Sequence, residues 1–247
     1  MTEKKRLRIF AGPNGSGKST LFSDISKKYR VGFFVNSDIV EQELLKTKYI
    51  NLEDFGLSLT QEDLALFLNE KDSKTLINKA KGAGFPIDIY IKENIIVDKS
   101  KNVHSYEASL ITSFIRKNLM ANGISYSFET VMSHISKLNE IRSANVFGYK
   151  TYLYFVCLDD PLLNVSRVND RFDKGGHSVP NDRIISRYKN ALANLLPAIK
   201  IAQRVFLMDN SGEELVLIAE FEGGILKWEI DNLYRPNWYL EYVVNKL

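Results

Sequence analysis

Residues 12–19 are Gly-Pro-Asn-Gly-Ser-Gly-Lys-Ser, a complete phosphate-binding loop of the form G-x-x-x-x-G-K-[ST]. The apolar run Leu7-Arg8-Ile9-Phe10-Ala11 precedes it as a buried strand would, and Thr20-Leu21-Phe22 with Ile25 opens a helical pattern behind it. Strand, glycine loop and helix are the context that gives this motif its meaning. The glycines let successive backbone N–H groups curl around phosphate oxygens, and the helix N-terminus adds partial positive charge. Gly12, Asn14, Gly15, Ser16, Gly17, Lys18, Ser19 and Thr20 are therefore the expected nucleotide contacts. Lys18 is placed to reach the β- and γ-phosphates, and the Ser19 hydroxyl to complete a Mg²⁺ shell.

The composition fits one soluble α/β domain. The 247 residues carry 33 basic and 30 acidic side chains, a net charge of +3 that argues against a dedicated nucleic-acid binder. No apolar stretch is long enough for a membrane span, and the basic N-terminus runs straight into the first strand without a signal-peptide core. The single cysteine, Cys157, lies in an apolar run, so a reducing cytoplasm is expected.

Downstream of the loop, short apolar strands alternate with helices. Gly32–Asn36, Ile124–Phe128, Thr151–Leu158 and Arg204–Met208 read as strands, with helices over Ile39–Lys46, Ser105–Met120 (capped by Ser105), Pro161–Phe172 and Asp182–Leu196. That rhythm predicts a P-loop NTPase-type parallel sheet covered by helices on both faces. The chain is expected to be a single domain over 1–247. Residues 51–101 break the rhythm and read as an insertion or substrate subdomain, and 212–247 as a C-terminal β-hairpin and helix.

Function gathers at the carboxyl ends of strands in such a sheet. Those ends carry Asp38, Glu129, Asp159 and Asp209, which the pattern places together around the phosphates. Asp38, taken to end the strand beside the loop, can accept a proton from an acceptor hydroxyl; it can equally be the N-cap of the next helix. Glu129 can bind substrate hydroxyls, support metal-bound water, or start a helix. Asp159 precedes Asp160-Pro161 and also fits a helix entry. A second signal runs from Arg167 through Arg171, Gly175-Gly176 and His177 to Arg183 and Arg187. Two arginine-bearing helices broken at a glycine pair suit a lid that neutralises a transferring phosphate. His177 is expected to shape that lid or touch substrate.

Five motifs in this order resemble the zeta-toxin family of P-loop kinases: Ala11–Thr20, Asn36-Ser-Asp38, Ser127-Phe-Glu-Thr130, Gly175–Pro180 with Arg187-Tyr188, and Met208–Ser211. The resemblance implies transfer of a phosphate from ATP or GTP, with Mg²⁺, to a hydroxyl of UDP-N-acetylglucosamine or a related sugar nucleotide. It makes Lys18 the phosphate-binding lysine, Ser19 the Mg²⁺ ligand, Asp38 the general base, and Arg171 and Arg187 the lid arginines, with Arg167 and Arg183 as alternates. Glu129, Thr130 and His177 would face the acceptor. It also implies an antitoxin protein as partner. The family's glycine after the strand-end glutamate is Thr130 here. Other metabolites or a nucleic-acid end as acceptor, and a non-catalytic ATP-gated module, are the competing functions.

Overall fold

A computed structural model describes residues 4–173 and 179–247. In chain order the elements are β1 (Arg6–Ala11), α1 (Lys18–Lys28), β2 (Phe33–Val35), α2 (Ser37–Thr47), β3 (Tyr49–Asn51), α3 (Gln61–Leu68), α4 (Lys71–Gly82), β4 (Ile89–Lys92) and β5 (Ile95–Asp98). These are followed by α5 (Ser105–Ala121), β6 (Tyr126–Thr130), α6 (Ser136–Val146), β7 (Lys150–Cys157), α7 (Pro161–Asp173) and α8 (Asn181–Ala193). The last are α9 (Leu195–Ile201), β8 (Arg204–Asp209), β9 (Val216–Glu222), β10 (Ile225–Glu229) and α10 (Asn237–Tyr242). The chain divides into one unit of residues 1–32 with 127–247 and a second of residues 33–126.

The first unit carries the strand order β10-β9-β8-β7-β1-β6. β1 pairs parallel with β7 and β7 parallel with β8, registering Ile9 with Leu153 and Leu153 with Val205. Those three residues are fully buried on one face. Alternation puts Phe10, Tyr154 and Phe206 on the other face. Their rings stack in succession at 5.0 and 5.1 Å between centroids. Leu21, Phe22 and Ile25 of α1 pack on this ladder, with Phe22 edge-on to Phe10 at 5.2 Å. Aromatic pairs of this kind add about 0.5–1.5 kcal/mol each beyond simple burial. They anchor α1, and with it the loop before it. The C-terminal hairpin then extends the sheet, β9 running antiparallel to β8.

The helix expected over 182–196 is two helices, α8 and α9, divided at Asn194. Pro197 has no N–H to continue the α8 ladder but is tolerated in the first turn of α9. The side-chain amide of Asn194 donates to the Met132 carbonyl at 2.9 Å, fixing the break.

In the second unit β3, β5 and β4 form a small antiparallel sheet, with Ile50 and Ile91 both opposite Ile96. The β4–β5 hairpin turns at Glu93-Asn94, both with positive φ, as a tight two-residue turn demands. α2 and α5 are linked by the Ser37 and Thr112 hydroxyls, 3.1 Å apart. The N-cap of α5 is His104 rather than the expected Ser105, because Glu107 reaches back to accept the His104 N–H at 2.7 Å. Glu107 is fully buried, its other carboxylate oxygen lacks a hydrogen-bond partner among the described residues, and burial raises its pKa from 4.5.

Candidate active site

The loop between β1 and α1 is held at several points of its backbone. Its first N–H, on Gly12, donates to the Thr130 carbonyl at 3.2 Å, clipping it to the end of β6. Gly12 has φ 139°, and a Cβ there would lie 2.0 Å from the Val156 carbonyl oxygen, so no other residue fits. The amide of Asn164, on α7, donates to the Asn14 carbonyl at 2.7 Å. The amide of Asn210, just past β8, donates to the Ser16 carbonyl at 2.8 Å. Lys18 Nζ donates to the Pro13 carbonyl at 2.8 Å. Buried Asn14 Oδ1 and Ser16 Oγ have no hydrogen-bond partner among the described residues. A glycine cradle lined by backbone N–H groups, one ammonium and unpaired polar atoms fits a polyphosphate.

Beside β1 in the sheet stand β7 and β6. The carboxylate beside the loop within this unit is Glu129 on β6. Ser19 Oγ donates to Glu129 Oε2 at 3.0 Å. Glu129 lies inside the strand, which excludes its helix-start alternative. A hydroxyl paired with a carboxylate at the mouth of a phosphate loop is the hard-oxygen chemistry that suits Mg²⁺, which takes few protein ligands and relies on phosphate oxygens. Among the described residues no cluster of three or more His, Cys, Asp or Glu exists to hold a metal by itself. Thr130 Oγ1 accepts the N–H of Met132, shaping the turn after β6, where Met132 has φ 58°.

Two other strand-end acids do not join this group. Asp159 spends both carboxylate oxygens on α10, accepting from the Trp238 N–H at 3.0 Å and the Asn237 amide at 2.7 Å. Asp209 accepts from the Trp238 indole at 2.8 Å and from Ser211. Of the strand-end carboxylates expected around the phosphates, two thus hold the C-terminal helix α10. Asp38 belongs to the second unit. The N-cap of α2 is Asn36, whose side-chain oxygen accepts from the Asp38 and Ile39 N–H groups, so Asp38 is not the cap. Its side chain lies at the exposed first turn of the helix.

The arginine segment is described on both sides of residues 174–178, while Gly175, Gly176 and His177 lie outside the described residues. α7 sits against the loop: a Cβ at Gly15 would meet the Asn164 carbonyl oxygen at 2.9 Å, Val168 at 3.2 Å and the Arg167 Cβ at 3.4 Å. Arg167 is thus the α7 arginine brought to the loop, whereas Arg171 is exposed one turn further on. On α8, Arg187 is half-buried; burial and the neighbouring Arg183 guanidinium both push its pKa down. Tyr188 pins this helix to the end of β7, its hydroxyl donating to the Leu158 carbonyl at 2.8 Å. Asn164 and Asn210 were the loop contacts hardest to foresee; Asn210 lay within a motif, while Asn164 carried no signal at all.

The chain places its phosphate-binding loop between the first strand and first helix of a mostly parallel α/β sheet, a fold it shares with solved structures. The sequence matches no protein-family model and no curated protein. Among solved structures it is similar to a chain of the AvrRxo1-ORF1:AvrRxo1-ORF2 structure with sulphate ions, at TM-score 0.52 and 18% identity over 94% of this chain and 62% of that one. The AvrRxo1-ORF1:-ORF2 structure with ATP gives the same values. The structure of the PezAT chromosomal toxin–antitoxin system of Streptococcus pneumoniae is similar at TM-score 0.49 and 11% identity, over 89% of this chain and 72% of that one. This chain therefore spans 62% of the length of the AvrRxo1 chains it matches.

Proposed function

We propose that the protein is an ATP-dependent small-molecule kinase of zeta-toxin type whose acceptor is the hydroxyl of a sugar nucleotide, UDP-N-acetylglucosamine or a relative. The observation that carries the phosphotransfer half is the Ser19–Glu129 contact at the mouth of a loop backed by Arg167. The sugar-nucleotide half rests on the resemblance of the motifs. Neighbouring structures supply ATP as a bound molecule and a second polypeptide, ORF2, as a companion, and both are carried over here as proposals, the latter as an antitoxin-like partner. A reducing, cytoplasmic setting is part of the same proposal; no helix among the described residues is long and apolar enough to cross a membrane.

In this reading Lys18 leaves the Pro13 carbonyl for the β- and γ-phosphates, and the backbone N–H groups of the loop hold the remaining oxygens. Ser19 would ligate Mg²⁺ and Glu129 would support its shell; the ion, when bound, neutralises phosphate charge. Asp38, on the first turn of α2, takes the proton of the acceptor hydroxyl. That oxygen bonds to the γ-phosphorus as the bond to the β–γ bridging oxygen breaks, leaving the nucleoside diphosphate. Arg167 and Arg187 would balance the charge that moves. The test is mass spectrometry of a metabolite extract incubated with Mg-ATP and enzyme. One sugar nucleotide should gain a phosphate with the wild type, and turnover should fall at least 100-fold with Asp38→Asn while ATP binding persists. Full activity in that variant removes Asp38 as base, and phosphorylation of a different metabolite class removes the sugar nucleotide.

A further inference from the structure

We infer that Asn164 and Asn210 are a pair of positioning residues that set the phosphate loop for its anion before the anion arrives. This deepens the kinase reading and rests on it for its functional consequence. The argument is one of peptide geometry. No peptide among the described residues is cis, and in a trans peptide the C=O of one residue and the N–H of the next point in opposite directions. Asn164 draws the Asn14 carbonyl toward α7, so the Gly15 N–H is aimed away from α7. Asn210 draws the Ser16 carbonyl toward the end of β8, so the Gly17 N–H is aimed away from that strand. Neither N–H finds a hydrogen-bond partner among the described residues. Two glycine donors are thereby left unpaired and oriented, the arrangement that makes a backbone nest for an anion.

Both clamps come from far downstream in the chain, 150 and 194 residues from the carbonyls they hold. Asn164 is fully buried, its Oδ1 has no hydrogen-bond partner among the described residues, and its Nδ2 makes the clamp. Close packing enforces the arrangement: a Cβ at Gly17 would fall 2.5 Å from the Asn210 amide nitrogen. Asn164 also lies three residues before Arg167 on the same helix, so its bond fixes the register between that arginine and the loop. A loop that needs no reordering on binding keeps more of its interaction energy as affinity.

The test measures ATP affinity by calorimetry for wild type, Asn164→Ala, Asn210→Ala and the double variant, alongside amide NMR of the nucleotide-free proteins. Each single variant is expected to bind ATP about tenfold more weakly, and the double variant about 100-fold. The Gly15 amide resonance should shift in Asn164→Ala and that of Gly17 in Asn210→Ala, each selectively. Ile199→Val, a core change on α9, serves as the stability control. Affinities within twofold of wild type in folded variants, unmoved glycine amides, or equal weakening in Ile199→Val at equal loss of melting temperature would each overturn the inference. If the buried Asn164→Ala fails to fold, half-buried Asn210→Ala carries the same comparison. A wild type that binds no ATP defeats the kinase reading instead, and the glycine amides still decide whether the clamps exist.

Discussion

Ser19 and Glu129 stand 110 residues apart in the chain and 3.0 Å apart in the fold. Each was legible alone, Ser19 from motif spacing and Glu129 from its place at a strand end, because both signals are local. Their pairing follows from β6 flanking β1, and strand order is written in no local pattern. Asn164 and Asn210 mark the other limit. A buried amide bonded to a backbone carbonyl has no spacing that distinguishes it from any other asparagine. At this scale Glu107 gives a pH test. Its pKa lies above 4.5 in the fold, chiefly through burial, with the Asp98 carboxylate adding to the rise. The neutral form is favoured by folding, so the stability it confers is complete below pH 4.5 and is lost as pH rises through the raised value. Every tenfold weakening of the acid by the fold corresponds to about 1.4 kcal/mol. Glu107→Gln keeps an acceptor for the His104 N–H and cannot ionise. Its melting temperature should match wild type near pH 4 and exceed it increasingly toward pH 8, as measured by calorimetry; parallel curves would contradict the assignment.

Among the elements, α7, α8 and α10 reorganise what the strand ends offered. The alternation of strands and helices was readable along most of the chain, since apolar periodicity and turn residues are set locally. What could not be read was competition for side chains. Trp238 and Asn237 come nearly eighty residues after Asp159, yet they consume its carboxylate and leave the loop with Glu129. Proline at 197 divided one expected helix into two for a reason the residue itself announces. For the arginines, α7 carries a graded prediction within the kinase reading: Arg167→Ala should lower kcat/KM about 100-fold, in line with loss of one charge-stabilising donor. Arg171→Ala, one exposed turn away, should cost less than tenfold. Steady-state kinetics on both variants decides the order, and a reversed order would return the lid role to Arg171.

At the scale of the molecule, the loop, Glu129 and the arginine helices all belong to the unit of residues 1–32 and 127–247, while Asp38 and the 51–101 stretch belong to the other. Donor chemistry was therefore legible from a motif in one unit, whereas in the kinase reading the proposed base, Asp38, belongs to the other, which carries no kinase motif beyond Asn36–Asp38. The first unit also contains an optical gauge. The protein has two tryptophans: Trp228 is 47% exposed, and Trp238 is 2% exposed with its indole N–H on Asp209, the residue before Asn210. With Trp228→Phe, emission arises from Trp238 alone, whose indole is bonded to Asp209, the residue before the one whose amide grips the Ser16 carbonyl. Titrating that variant with Mg-ATP should change its fluorescence saturably, and adding Lys18→Ala should abolish the change at the same concentrations. A single buried indole would then act as a built-in dye, letting occupancy be followed in real time without any label.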